Sequence, residues 1–228
     1  MRKRKWIVYF VALAMFMTSL CTFSFAADCS VTITKPADNS KYYKGESIPI
    51  DIDFVGNGDP SEDAYIVLYS GVGDNMQSVL LDEQHNEVVG TYHYQKSFST
   101  NSTSNGKYTL WGRLSPDLNV SSFDAADEVV ITIATLKAPT NLKAKAGKKK
   151  VTITYKKADG ATSYEIYRST KKSKGYKKVA TTNKLKYVDK KVKKGKKYYY
   201  KVRSKRDKGN GVVYSSYRGP VKTKKVKK

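Results

Sequence analysis

Apolar and polar residues alternate along much of the chain with the two-residue period of β-strands. In the clearest run, every second position of 48–54 is Ile or Phe, and the positions between are Pro or Asp. This pattern predicts a strand with one buried and one solvent-facing side. Shorter runs predict further strands at 31–34, 64–69, 88–98, 108–114 and 128–134. Segments rich in Gly, Pro and Asn separate the runs and no helical period is sustained, so this region is predicted to be a β-sandwich.

The motifs of this first region are Ile33-x-x-Pro36, Lys44-Gly45-Glu46 before a strand, and Gly106-x-Tyr108-x-Leu110. In that order they resemble bacterial immunoglobulin-like modules. The resemblance implies that Tyr108 is a tyrosine corner, whose hydroxyl binds nearby backbone.

A second set of alternating runs follows residue 137. Its motifs are Pro139-x-x-Leu142-x-Ala144, Val151-Thr152-Ile153-Thr154-Tyr155, Tyr164-Glu165-Ile166-Tyr167-Arg168-Ser169, Tyr187-x-Asp189 and Gly195-x-x-Tyr198-x-Tyr200-x-Val202. Their order and spacing resemble a fibronectin type III domain along nearly its whole length, with Tyr155 where that family generally has Trp. The resemblance implies a second sandwich with Tyr198 as its tyrosine corner. We therefore predict an all-β chain of two tandem antiparallel β-sandwiches, an immunoglobulin-like module at 27–136 and a fibronectin type III module at 137–228.

The N-terminus has the layout of a secretory signal peptide over residues 1–26. Basic residues at 2–5 precede an apolar stretch, and small residues at positions 24 and 26 predict cleavage between Ala26 and Ala27. The alternative is an uncleaved membrane anchor. Either reading predicts an extracellular or cell-surface location. Cys29 is the one cysteine left after cleavage, so apolar packing rather than an internal disulfide must hold each module together.

Charge is divided unevenly between the modules. Residues 27–136 contain six basic and sixteen acidic residues, whereas residues 137–228 contain 33 basic and four acidic residues, a net charge of +29. Solubility needs far less charge than this. The excess favours association with an anionic cell-wall or matrix polymer, such as teichoic acid, a glycan or extracellular DNA. The alternative is that the lysines only keep the module soluble and discourage edge pairing. The opposite signs also favour docking of the two modules on each other.

Catalytic motifs are missing from this sequence, which contains no nucleophile elbow, zinc-protease motif or phosphate-binding glycine loop. The two histidines, His85 and His93, are interpreted as polar loop residues rather than ligands. The acids Asp59, Glu62 and Asp63 lack the ordering of a calcium loop. We therefore predict no enzyme activity, no metal site and no cofactor, and the loop at 204–210 lacks the Arg-Gly-Asp sequence of integrin ligands.

Strand alternation gives a specific hypothesis for the binding surface. If Tyr198, Tyr200 and Val202 face the core, the residues between them face outward as an aromatic platform ringed by cations. The predicted polyanion or glycan site comprises Tyr167, Lys197, Tyr199, Lys201, Arg203, Lys205 and Arg206. The alternative for the tyrosines is ordinary strand composition.

The function favoured by these observations is a secreted or cell-surface, non-catalytic binding or adhesion protein that uses its basic second module. The alternatives are a carbohydrate-binding or adhesin-like accessory protein that uses the first module, and a hydrolase of unfamiliar pattern. A surface protein is the alternative binding partner.

Overall fold

The computed structural model describes residues 29–56, 63–72, 78–85, 88, 90–115 and 125–227. The predicted signal peptide and its cleavage position at Ala26 and Ala27 lie outside these residues. Every helix or strand element within the described ranges is a β-strand, and none is a helix. No helix in this part of the chain is long and apolar enough to cross a membrane.

Two facing sheets form the first sandwich, and the strands follow in chain order. They are β1 (Ser30–Lys35), β2 (Ser40–Tyr43), β3 (Ser47–Val55), β4 (Asp63–Ser70), β5 (Ser78–His85), β6 (Thr91–Ser99), β7 (Gly106–Ser115) and β8 (Ala125–Ala134). One sheet has the order β1-β3-β6 and the other β2-β8-β7-β4-β5. Pairing is antiparallel except between β2 and β8, which run parallel.

The second sandwich is built from the remaining strands. They are β9 (Thr140–Gly147), β10 (Lys150–Lys156), β11 (Ser163–Ser169), β12 (Lys177–Thr182), β13 (Lys186–Asp189), β14 (Tyr199–Asp207), β15 (Val212–Tyr214) and β16 (Arg218–Lys222). A sheet of order β13-β10-β9 faces a sheet of order β12-β11-β14-β15, in which β16 also pairs with β14. The fold is therefore all-β, with two antiparallel sandwiches of the immunoglobulin and fibronectin type III kind, as the alternation predicted.

Each sandwich has its own apolar core. In the first, the apolar positions of 48–54 are buried, as expected for β3. Asp51, on the side of β3 predicted to face water, is buried too, and the Lys35 ammonium at 3.0 Å compensates its charge. In the second core, Tyr155 takes the place expected for Trp: it packs on Tyr164 at 4.8 Å between ring centroids, and its hydroxyl donates to the Lys184 carbonyl.

Two strands of the first sandwich are not predicted by the sequence pattern. β2 has four residues, too few to show a period, and its backbone pairs with β8, which is about ninety residues away in sequence. β5 includes Asp82, Glu83 and Gln84, which have low strand propensity, and it is a strand because it pairs with β4 over its whole length.

The Tyr108 hydroxyl donates to the Ser104 carbonyl at 2.7 Å, within the loop that leads into β7. Replacing Tyr108 with Phe removes this donor from a buried site and should lower the free energy of unfolding by about 1 to 2 kcal/mol. Urea denaturation measures the change. Tyr214→Phe is the control, since that side chain is 42% exposed and its change should stay within about 0.5 kcal/mol. Equal values for the two variants would show that the Tyr108 hydrogen bond adds nothing.

A joint connects the two sandwiches. It consists of the end of β2 and the turn after it, the linker at 135–139, and the loops that follow β10 and β14. Tyr43, Leu136 and Val213 form a small buried apolar cluster there. The Ser47 amide donates to the Asn210 carbonyl at 2.8 Å. The backbone approach is so close that a Cβ on Gly211, whose φ is +122°, would lie 2.8 Å from a backbone oxygen, so this position requires glycine.

Two ion pairs cross the joint among the described residues. Arg206 Nε donates to Glu46 Oε1 at 2.5 Å, and its guanidinium lies 4.6 Å from the Tyr43 ring centroid. Lys41 and Asp159 form the second pair, also at 2.5 Å. The basic partner belongs to the second sandwich in one pair and to the first in the other. The two pairs therefore have opposite polarity across the joint.

Candidate binding surfaces on the second sandwich

Side chains of β14 alternate between core and surface. Tyr200, Val202 and Ser204 are buried, while Tyr199, Lys201 and Arg203 are partly exposed on the opposite side. The second sandwich has two basic surfaces, one at the end of the strands and one on the outer face of the sheet.

The first surface is a groove of about 840 Å³ at the end of the sandwich, which we call the lysine groove. Its walls come from the end of β11, the loop before β12, the turn before β14 and the C-terminal segment. The basic side chains that line it are Arg168, Lys177, Lys191, Lys193, Lys196, Lys197 and Lys225. Among the described residues none of the six lysine ammonium groups has a carboxylate partner, and all six residues are exposed.

Tyr198 and the C-terminal segment hold the lysine-bearing turn in place. The buried Tyr198 hydroxyl accepts from the Lys193 amide at 3.0 Å. The Gly195 amide donates to the Val226 carbonyl, and the Val226 amide donates to the Lys196 carbonyl at 3.0 Å. The cations of the turn are therefore carried on a fixed backbone.

Arg168 has a structural role at the groove, because its charge is already paired. Its guanidinium donates to the buried carboxylate of Asp189 at 2.8 Å, and Asp189 also accepts from the Tyr200 hydroxyl at 2.9 Å. The carboxylate of Asp189 therefore compensates the charge of Arg168. Among the described residues no carboxylate compensates the lysines that line the groove.

The second surface is the outer side of the sheet formed by β11, β12, β14 and β15, together with Tyr176 and Tyr217 from adjoining loops. We call it the tyrosine face. Tyrosine rings and cations alternate across it in the order Tyr176, Lys201, Tyr217, Arg203, Tyr214. The Lys201 ammonium lies 4.5 Å from the Tyr176 ring centroid and 5.8 Å from that of Tyr217. The Arg203 guanidinium lies 5.2 Å from the Tyr217 centroid and 3.9 Å from that of Tyr214.

A buried carboxylate fixes the centre of this face. Glu165 is 3% exposed and accepts from Arg203 at 2.7 Å, from Lys178 at 2.8 Å and from the Tyr167 hydroxyl at 2.7 Å. Burial alone would raise the pKa of Glu165, but these hydrogen bonds outweigh it and lower the pKa from the ordinary value of 4.5 to about 2. Glu165 is therefore ionised under ordinary conditions and holds Arg203 beside the rings.

The residues of the predicted site fall in three places. Tyr167, Lys201 and Arg203 belong to the tyrosine face, and Tyr199 and Lys205 lie on the same side of β14. Lys205 is paired with Asp207 at 3.1 Å. Lys197 is part of the lysine groove instead.

Arg206 is the exception among the predicted cations. It is only 13% exposed in its side chain, it is paired with Glu46, and it also donates to the Gly160 carbonyl at 3.1 Å. Alternation along β14 turns it away from the tyrosine face and into the joint. It therefore has no role in surface charge.

Sequence reasoning missed Tyr176, Tyr214 and Tyr217. Tyr176 lies in a loop, where its hydroxyl donates to the Lys172 carbonyl. A hairpin signal for Tyr214 is present, because Asn210-Gly211 favours a tight turn and a returning strand. That returning strand, β15, places Tyr214 opposite Lys205.

The histidines, the acidic residues and Cys29 singled out in the sequence belong to the first module. The two histidines lie in strands β5 and β6 rather than in loops as predicted. His93 lies 2.6 Å from Asp53 and 3.4 Å from Asp51, and the His85 ring packs on Tyr92 at 4.9 Å between centroids. The described residues contain no group of three His, Cys, Asp or Glu side chains arranged to hold a metal ion. Asp63 accepts from Gln84. Asp59 and Glu62 lie outside the described residues, and Cys29 packs half-buried against the first core.

Comparisons with known proteins give partial similarities. No family model matches the chain. An amylopullulanase of Thermoanaerobacter thermohydrosulfuricus is 38% identical over 103 residues, which are 43% of this chain and 7% of that protein. This chain therefore corresponds to a small part of the curated relative that it matches.

Two solved structures illustrate the structural similarities. An Fn3-like protein from Clostridium thermocellum is 29% identical, with a TM-score of 0.35, and the match covers 39% of this chain and 92% of that one. A beta-1,2-glucanase from Parabacteroides distasonis is 16% identical, with a TM-score of 0.35, over 87% of this chain and 36% of that one.

Proposed function

We propose that this chain is an exported, non-catalytic binding protein, and that its fibronectin type III-like second sandwich associates with an anionic polymer of the cell surface or extracellular matrix. The observation that carries the proposal is the lysine groove. Six exposed lysines line it, and Tyr198 and the C-terminal segment fix the backbone of the turn that carries Lys193 and Lys196. A high local positive potential of this kind attracts polyanions.

The second sandwich has almost no negative charge of its own left to neutralise its lysines. All four of its acidic residues already have cationic partners: Asp159 pairs with Lys41, Glu165 with Arg203 and Lys178, Asp189 with Arg168, and Asp207 with Lys205. Glu46 is the one acid of the first sandwich that reaches across within the described residues. An external polyanion would relieve the repulsion that remains.

The chemistry of lysine defines the class of ligand. An ammonium group acts as a point charge and lacks the bidentate geometry with which arginine selects one anion. Binding is therefore expected to be broad among phosphate-, sulfate- and carboxylate-bearing polymers and to weaken with salt. The similarity to part of an amylopullulanase, an enzyme named for its polysaccharide substrates, supports a polysaccharide as the polymer.

Retention on immobilised polyphosphate and heparin over a range of salt concentrations tests the proposal. The variant carries Lys193→Gln, Lys196→Gln, Lys197→Gln and Lys225→Gln. At roughly 0.5 kcal/mol for each exposed pair, it should bind about 30-fold more weakly than the wild type.

The matched control removes the same charge elsewhere on the sandwich, through Lys143→Gln, Lys145→Gln, Lys184→Gln and Lys186→Gln. All four are exposed and lie outside the groove. Equal losses in the two variants would mean that total charge, rather than the groove, governs binding. Failure of the wild type to bind either polymer at low salt would reject the function.

A further inference from the structure

Much of the exposed apolar surface of the described residues lies on or beside the tyrosine face. Large hydrophobic residues are strongly exposed at four described positions: Leu185, Val212, Tyr214 and Tyr217. Three of these four lie together in the segment from β15 to the start of β16. Exposed aromatic surface gathered in one place is typical of a binding site.

The rings of this face are positioned rather than loosely attached. Tyr217 packs edge-on against Tyr167, with centroids 5.2 Å apart and planes at 88°. The Tyr167 hydroxyl is tied to Glu165, and burial together with this hydrogen bond raises the pKa of Tyr167. Arg203 donates to both Glu165 and the Tyr167 oxygen. A preorganised surface loses little conformational entropy when a ligand binds.

The alternation of rings and cations indicates what the ligand must offer. Lys201 and Arg203 interrupt the rings, so the face lacks the continuous apolar patch that is typical of obligate protein interfaces. A sugar polymer matches the pattern, because each ring presents an apolar C–H face for stacking and polar groups at its edge. No described carboxylate pairs with Lys201, so the complementary sugar carries a negative group.

We propose that the tyrosine face is a second binding site, separate from the lysine groove, which stacks the sugar rings of an acidic polysaccharide on Tyr176, Tyr214 and Tyr217. Lys201 and the outward edge of Arg203 bind the carboxylate or sulfate groups of that polymer. The lysine groove attracts any polyanion, whereas the tyrosine face recognises the sugar itself.

The experiment measures binding to polygalacturonate of the full chain that carries the four Lys→Gln substitutions of the lysine groove, so that the groove contributes little while Lys201 and Arg203 keep their charge. Tyr214→Ala combined with Tyr217→Ala should weaken binding about ten-fold or more. Tyr214→Phe combined with Tyr217→Phe keeps both rings and should retain most of the affinity. Leu185→Ala is the matched control: it removes a side chain of similar exposure, 41%, outside the face, and should leave binding unchanged.

Further probes separate this proposal from its competitors. Lys201→Glu should weaken binding to polygalacturonate but leave binding to neutral amylose as it was. Unchanged binding of the double alanine variant would overturn the proposal. Tighter binding of amylose than of polygalacturonate would overturn its acidic component. If the double alanine variant lost binding to single-stranded poly(dT) but kept binding to polygalacturonate, the face would instead be assigned to nucleic acid. Circular dichroism of each variant confirms that the sandwich is folded.

Discussion

Arg206→Ala should lower the free energy of unfolding by about 3 to 5 kcal/mol, because it removes one partner of a buried ion pair. The Glu46 side chain is fully buried at the joint, and that of Arg206 is 13% exposed. Without the guanidinium, the Tyr43 amide is the remaining hydrogen bond to this carboxylate among the described residues. A charge buried with so little compensation favours separation of the two sandwiches, which returns Glu46 to water.

Calorimetry and small-angle scattering together measure this effect. The variant should unfold at lower temperature and show a larger radius of gyration than the wild type. Lys205→Ala is the control, since its neighbouring pair with Asp207 is surface-exposed and worth about 0 to 1 kcal/mol. Glu46→Gln in the Arg206→Ala background should recover part of the loss. If Arg206→Ala and Lys205→Ala behave alike, the joint does not depend on the buried pair.

The joint shows where sequence reasoning stops. Alternation correctly assigns the direction of each side chain along β14, since Tyr200 and Val202 are buried as expected. It cannot tell which outward or end-of-strand residue meets a neighbouring module. Alternation places Arg206 on the core side of β14 but gives no sign of its partner, because its pairing with Glu46 joins residues 160 positions apart.

Sequence alternation predicted the placement of only some residues of the tyrosine face. Period-two alternation is local, so it places Tyr167, Lys201 and Arg203 on one side of their sheet. The register of β11 against β14, which sets Lys201 opposite Tyr167 and Arg203 opposite Glu165, depends on long-range pairing. Tyr176 and Tyr217 lie outside the strands, and their contribution becomes visible only when their loops fold back over the sheet.

Glu165 should give the second sandwich a stability that depends strongly on pH. Its pKa is about 2 in the folded protein and 4.5 ordinarily, so the folded state favours the ionised carboxylate. For a lowered pKa the stabilisation is present above about pH 4.5 and is lost as the pH falls through about 2. The difference between the two values corresponds to roughly 3 kcal/mol.

Glu165→Gln tests this directly by urea denaturation between pH 2 and pH 7. The variant should be about 3 kcal/mol less stable than the wild type at neutral pH, and the two should converge near pH 2, where the wild-type carboxyl becomes protonated. Asp207→Asn is the control, because that carboxylate is 45% exposed in its surface pair and should change stability by less than about 1 kcal/mol. A constant gap at all pH values would show that shape rather than charge matters at Glu165. Convergence would show that the charge of one buried carboxylate stabilises the sheet on which the tyrosine face is built.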